Sequence, residues 1–232
     1  MKLKLLASVA AAGLFAAGAA AAEPNGWYGA IDAGWHRVDQ AEIYPANSSG
    51  FEIDADDGWA AFARLGYRFT ENWRLELEGG YRQNEITALT ANTPGLVRSV
   101  CAPVSTGACG SPDGDLKVSS LMANVIYDFG MAESRLRPFI GAGAGVARTE
   151  LDFTGTAGNA RTVFYDSSDS DTSLAAQLLA GLAFRLGDRT NLDLTYRYFK
   201  TDLDGRINAT TVAGTPGDFD GTYEDSHAVT LG

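Results

Sequence analysis

The chain is poor in the features that mark several common classes of protein. Beyond residue 22 it has no run of 18 or more apolar side chains. That excludes a spanning helix there but leaves a β-barrel open, because barrel strands carry a much weaker hydropathy signal. Basic residues are in deficit, 18 against 29 acidic, which argues against nucleic acid as a partner. Only two cysteines occur, Cys101 and Cys109, and neither follows the apolar N-terminal stretch, so a lipid-modified mature terminus is not indicated.

What is present begins with a leader. Met1-Lys2-Leu3-Lys4 gives a positive start, Leu5 to Ala19 is largely apolar, and Ala20-Ala21-Ala22 supplies an A-x-A site. This is the pattern of a secretory signal peptide cut before Glu23, so residues 1–22 are read as leader and 23–232 as one domain. Removing Lys2 and Lys4 takes the basic count from 18 to 16 against 29 acids, a net charge of about −13. Export implies an oxidising compartment. Cys101 and Cys109 lie close together in a segment rich in Pro, Gly, Ser and Thr, so a local disulfide is expected. By loop entropy it stabilises its segment by roughly 2–3 kcal/mol.

From Trp27 onward, apolar and polar side chains alternate. The run 73–82 carries Trp, Leu, Leu, Gly and Tyr on one face and Arg, Glu, Glu, Gly and Arg on the other. In a water-soluble strand those charges would fill a core, whereas in a transmembrane barrel the apolar face meets lipid and the charges pair inside. Strands are expected at 26–38, 57–69, 73–86, 115–129, 137–151, 171–186, 191–203 and 225–232. The connectors 70–72, 130–136 and 187–190 are short, while 39–56, 87–114, 152–170 and 204–224 are long. Alternation of short and long describes an all-β, up-and-down, eight-stranded antiparallel barrel with two unlike ends. Pro45, Pro94, Pro103, Pro112 and Pro216 all fall in the long connectors, and Pro138 opens a strand.

Aromatics cluster at the ends of the runs. Trp27, Phe69, Trp73, Phe129 and Phe184 are expected to form a girdle at the short-turn end, with Trp35, Trp59 and Tyr81 toward the other.

Several segments together resemble a known family. They are Gly26-Trp27-Tyr28-Gly29-Ala30, Gly66-Tyr67-Arg68-Phe69, residues 121–129 ending Tyr-Asp-Phe, and Arg137-Pro138-Phe139-Ile140-Gly141-Ala142-Gly143. The likeness is to the eight-stranded barrel domain of OmpA-like and opacity-type outer-membrane proteins, and it covers nearly all of residues 23–232. It implies a slender barrel in the outer membrane of a Gram-negative cell, with short turns in the periplasm and long loops outside. Envelope integrity and loop display follow as the implied role, with no catalysis and no cofactor. Outer-membrane lipids, lipopolysaccharide and the barrel-assembly machinery are the implied partners. One departure is noted: the run 225–232 stops short and lacks a terminal aromatic. A fragment is therefore expected, with the closing strand incomplete and a periplasmic peptidoglycan-binding domain possible beyond Gly232.

Parity and counting from the short-turn ends give the lumen. Asp32, Arg64 and Glu78 should share one level, with Arg68 and Glu76 in a second layer. Arg74, Arg82, Asp128, Arg185, Asp193 and Arg197 bring like chemistry from the remaining strands. Six arginines thus face five carboxylates, and in so narrow a barrel they make a plug before they make a pore. The glycines of 141–145 are expected to leave room for bulky charges, since no helix follows them to form a nucleotide loop. The acidic residues of the long connectors do not match a calcium-binding loop, and no metal site is expected. His36 and His227 are read as interfacial side chains. The pair Ser226-His227 is the one feature that suggests a barrel-embedded lipid A esterase, and alone it cannot show a triad. Polar loops with scattered aromatics also suit a surface adhesin or receptor.

Overall fold

The alternating runs become eight antiparallel strands that close on themselves. A computed structural model of the chain describes residues 26–39, 41–45, 51–91, 107–109, 113–131, 134–157, 163–201, 205–206, 219–223 and 225–232, and the leader read at 1–22 lies outside these. The barrel strands are β1 (Gly26–Val38), β2 (Gly58–Arg68), β3 (Trp73–Ala91), β4 (Asp113–Asp128), β5 (Leu136–Ala157), β6 (Val163–Arg185), β7 (Asn191–Thr201) and β8 (Ser226–Leu231). Each pairs with the next, and β8 returns to β1.

The closing run is short yet sufficient for two ladders. The six residues of β8 lie opposite residues 33–38 of β1 and 194–199 of β7. Gly232 then exchanges hydrogen bonds of 2.7 and 3.0 Å with Asp193.

Local chemistry sets the short turns. The Thr70 hydroxyl accepts from the backbone N–H of Trp73 at 3.0 Å and of Asn72 at 3.3 Å. The Asn72 amide in turn donates to the carbonyls of Asp128 at 2.8 Å and Gly130 at 3.2 Å, tying two neighbouring turns together. Gly130 takes a φ of 94°, a conformation that side chains with a Cβ rarely adopt.

At the other end the strands run further than the sequence suggests. β3 continues to Ala91, and β5 and β6 form a hairpin reaching Ala157 and Val163. Parts of the connectors read as loops are themselves strands. Ala41–Pro45 pairs with both Phe51–Ala55 and Phe219–Tyr223, so the first and last long connectors are joined. Phe219–Tyr223 carries Gly205–Arg206, and Gly107–Cys109 lies on β3. Once neighbouring strands offer an edge, short polar segments complete the ladder with backbone alone.

Burial follows the period of two. Along β2 from residue 60 and along residues 74–86 of β3 alternate side chains are buried within the barrel, and Leu65, Leu75 and Leu77 stand about half exposed on the outside. Within the band from the short turns to Trp35, Trp59 and Tyr81, the described outward side chains include no charge.

The interior is less uniformly charged than parity implied. Asp32, Arg64, Arg68, Arg74, Glu76, Glu78, Arg82 and Arg197 gather toward β1, β2, β3 and β7. On the facing strands β4, β5 and β6, Ile126, Phe139, Leu179 and Ala183 pack together beside the buried polar side chains Asn124, Asp128, Arg137 and Gln177. A second group of Val38, Leu116, Val118, Met122, Ala147, Ala175 and Phe199 fills the long-loop side.

Interior glycines admit large neighbours. Tyr28 lies opposite Gly66 in the β1–β2 ladder, and its ring occupies the space a Cβ on Gly66 would need. Gly79 faces outward, with nothing within 4 Å of its would-be Cβ. Gly66→Val should therefore lower stability by about 1–3 kcal/mol, while Gly79→Val should stay within about 0.5 kcal/mol of the parent. Urea unfolding in detergent micelles, followed by tryptophan fluorescence, measures both.

Candidate functional site

The lumen network is assembled from residues distant in sequence. At its centre the Arg64 guanidinium donates twice to Asp32, from Nε at 2.6 Å and from Nη2 at 2.8 Å. The same side chain reaches Asp193 at 3.2 Å and Glu76 at 3.3 Å. Arg197, from β7, contacts Asp32 at 3.2 Å and Glu78 at 3.1 Å, and also donates to Thr230 on β8. Glu78 further accepts from the Gln177 amide at 2.9 Å, and Gln177 donates to Asn124 at 2.7 Å, which ties the charged wall to β4 and β6.

Toward the short turns, Asp128 takes Arg74 at 2.9 Å and Arg68 at 3.1 Å. Arg74 also meets Glu76 at 3.3 Å and lies 5.1 Å from the Phe139 ring centroid. The Tyr28 hydroxyl donates to Glu76 at 2.5 Å. Toward the long loops, Arg82 donates to Ser120 at 2.9 Å and lies over the rings of Phe199, at 4.0 Å, and Phe62, at 4.8 Å. His36 hydrogen-bonds Asn84 at 2.7 Å, and the Asn84 amide donates to the Asp56 carbonyl at 2.9 Å.

Tyr28 and Ser120 are partly exposed, and the charged side chains of the network are buried. In so dry a setting an ionised carboxylate is tolerated only when donors surround it, and each acid here has at least one arginine within 3.3 Å. The shared partners make the cluster a network: Asp32 serves two arginines, and Arg64 serves three carboxylates.

Several expectations change in detail. Arg64 contacts Glu76, although Glu78 is its backbone partner across the ladder, and Glu78 is taken by Arg197. Arg64 leans toward the short-turn end, leaving Glu78 to the strand that closure brings around. Arg68 pairs with Asp128 in place of Glu76. Arg185 does not join the network. It is the last residue of β6, where there is no barrel wall left to enclose it, and it turns onto the Gly187 carbonyl at 3.3 Å and Asp188 at 3.4 Å. Arg137 is buried instead, and its signal was available, since Leu136 faces outward and the next residue must face in. Tyr28, Asn124, Gln177 and Thr230 are uncharged network members that a search for charge passes over. The glycines of 141–145 make room for side chains of β4: Ile126 lies against Gly141, Asn124 against Gly143 and Met122 against Gly145. None of these is a charge.

His36 is fully buried in the lumen, not at an interface, because Trp35 takes the outward position. Ser226 and His227 point to opposite faces of β8, Ser226 inward and His227 outward. His227 lies between Tyr196, whose hydroxyl is 2.6 Å from Nδ1, and Asp39, 3.0 Å from Nε2. Trp27, Trp35, Trp59, Phe69, Trp73, Phe129 and Phe184 are all outward and well exposed. Several meet in ring pairs, Trp27 with Tyr67 at 5.2 Å and Trp73 with Tyr127 at 5.0 Å edge to face, and Trp59 with Tyr81 tilted at 5.4 Å. Cys101 lies outside the described residues, and only the backbone of Cys109 is described. Among the described residues no three His, Cys, Asp or Glu side chains gather to hold a metal.

A closed antiparallel barrel with an apolar outer band, aromatic girdles and an ion-paired interior defines a membrane barrel of the outer-membrane class. The chain belongs to the outer membrane protein beta-barrel domain family, which it matches over residues 7–225. This places it in the outer membrane. Uncharacterised proteins of Brucella suis biovar 1 (strain 1330) and Brucella melitensis biotype 1 are each 30% identical over 143 residues, covering 60% of this chain and 50% of theirs. The chain thus spans about half the length of the curated relatives it matches. Among solved structures, OprG from Pseudomonas aeruginosa superposes with a TM-score of 0.53 at 17% identity, covering 93% of this chain and 96% of that one. Neisserial surface protein A gives 0.46 at 17% identity, covering 90% and 94%.

Removing one partner of a buried pair leaves the other uncompensated. Glu78→Ala should cost about 3–5 kcal/mol, and the double variant Glu78→Met/Arg197→Met should lie closer to the parent than Glu78→Ala does. Urea midpoints of the three proteins in detergent check this.

Proposed function

We propose that this is a plugged structural barrel of the outer membrane, with no enzymatic activity. It contributes to envelope integrity and displays its long acidic loops at the cell surface. The short turns lie in the periplasm and the long connectors outside. Its partners are outer-membrane lipids, lipopolysaccharide and the barrel-assembly machinery, with an extracellular ligand of the loops as a further one.

The observation that carries this reading is the two-pronged contact of Arg64 with Asp32, joined by Arg197 and Glu78. Residues from β1, β2, β3 and β7 meet there, and Asp32, Arg64, Glu78 and Arg197 are all buried, which favours a plug in so narrow a barrel. The opposite orientations of Ser226 and His227 support a role without catalysis. Purified protein in planar bilayers should pass no steady current, and Glu78→Ala should raise conductance. Steady current through the unmutated protein rejects the plug.

Recognition by the loops is the second reading, and the pairing of Ala41–Pro45 with Phe219–Tyr223 favours it. A sheet shared by the first and last connectors presents an ordered surface at less entropic cost than free loops would. Deleting residues 87–114 should reduce attachment of cells displaying the protein to a host surface. Unchanged attachment removes that connector from the binding surface.

A further inference from the structure

The ladder between β1 and β8 does not stop where the barrel does. Val38 lies opposite Ser226, the Asp39 N–H donates to the Asp225 carbonyl at 3.0 Å, and pairing resumes with Ala41 opposite Tyr223 and runs to Pro45 opposite Phe219 in the same register. The seam that closes the barrel and the sheet that joins the first and last connectors are one ladder, with Asp39 and Asp225 at the joint. Opposite positions of an antiparallel pair share a face, so two carboxylates stand side by side there. Like charges so placed weaken a ladder unless a cation offsets them.

His227 is placed to answer that repulsion. It lies opposite Arg37 and so diagonal to Asp39 across the ladder, and its ring is held at both nitrogens: Nε2 is 3.0 Å from Asp39, and Nδ1 is 2.6 Å from the Tyr196 hydroxyl of β7. The Tyr196 ring stacks on the imidazole at 5.9 Å and the Tyr198 ring lies against it at 5.4 Å. A carboxylate only accepts, so in the neutral ring Nε2–H donates to Asp39 and the Tyr196 hydroxyl donates to Nδ1. A second proton reverses the Tyr196 bond without breaking it and makes the Asp39 bond charge-assisted. The other described charged or titratable groups around the ring are Arg37 of β1, 3.9 Å from Asp39; Lys200 of β7, 3.7 Å from Asp225; and His36, buried on the inward face of β1 opposite Ala228. His227 is nearer to a carboxylate than either fixed cation is, and imidazole is the side chain whose charge changes under mild acidification.

We propose that His227 is a proton-operated clasp on the shared connector sheet. Protonation draws Asp39 to β8 and tightens the ladder above the joint; loss of the proton leaves the two carboxylates opposed and the ladder looser. The surface built on Ala41–Pro45 and Phe219–Tyr223 therefore stiffens as the surrounding medium turns mildly acidic. The attraction needs Asp39 ionised, so the window lies above the pH at which carboxylates take up protons. That the medium in question is the cell exterior rests on the long-loop end facing outward in the membrane.

The test is backbone hydrogen exchange of the full chain in detergent micelles at about pH 5.5 and about pH 8, on either side of the imidazole range, read by mass spectrometry with labelling times scaled for the intrinsic effect of pH on amide exchange. Residues 41–45 and 219–223 of the parent should exchange about threefold more slowly at the lower pH, the effect of a single exposed ion pair, while residues 119–128 of β4 should not change. In His227→Gln the two pH values should give equal exchange. The clasp is overturned if the parent exchanges equally at both, or if His227→Gln keeps the full difference. Asp39→Asn reads the same contact from the other side and stands in if His227→Gln does not fold: it should lose the difference, and keeping it in full also overturns the clasp. His227 faces away from the lumen and micelles leave both ends in one medium, so neither result bears on the plug or on the orientation of the barrel.

Discussion

Within a bilayer the backbone has no water to bond, so each N–H and C=O must be satisfied by a neighbouring strand, and a sheet achieves this throughout only by closing. Closure is the constraint on which the other features of this protein depend. With eight strands it leaves an interior wide enough for side chains and little more. With lipid outside, the apolar alternate residues turn outward and the polar ones are confined within. The interior is therefore where the energetic difficulty lies, because arginines and carboxylates held there lose their hydration and must compensate one another.

The interior meets that demand by division. Charges are concentrated on β1, β2, β3 and β7, where Arg64, Asp32, Arg197, Glu78 and Glu76 are within reach of one another, while Ile126, Phe139 and Leu179 line the facing wall. A lumen charged on every side would need more compensating partners than its width can place. The apolar cluster supplies packing, and rings from both sides cover the guanidinium planes: Phe62 lies 4.1 Å from Arg197, and Phe139 of the facing wall lies 5.1 Å from Arg74. Gly66, Gly143 and Gly145 belong to the same solution, since each cedes its side-chain volume to Tyr28, Asn124 or Met122 on the neighbouring strand.

The outer surface is layered as the interior is divided. Apolar residues and aromatic rings come first along the outer face, and the described outward charges begin only beyond them. Beyond them, Ala41–Pro45, Phe51–Ala55 and Phe219–Tyr223 continue the sheet past the barrel wall.

Much of this was legible in the residues themselves. A period of two states which side of a strand each side chain takes, and lengths and turn chemistry state where strands end, so the eight runs, the aromatic girdles and the inward placement of Asp32, Arg64, Arg68, Glu76, Glu78, Asp128, Asp193 and Arg197 followed from the sequence. It could not say which charges would meet. Asp32 and Arg197 are 165 positions apart and touch because β8 closes the ring between β1 and β7. Arg64 passes over its ladder partner Glu78 for Glu76 because a long side chain leans along the wall. Parity gave Arg185 an inward direction, but the end of β6 leaves it unenclosed, whereas Arg137, passed over in the sequence although the same rule turns it inward, is covered. The joining of Ala41–Pro45 to Phe219–Tyr223 was equally hidden, for those segments become strands only when the barrel offers them an edge. Sequence periodicity determined facing, a property of each residue and its neighbours along the chain. Partnership was decided by closure and strand stagger, which exist only once all eight strands are in place.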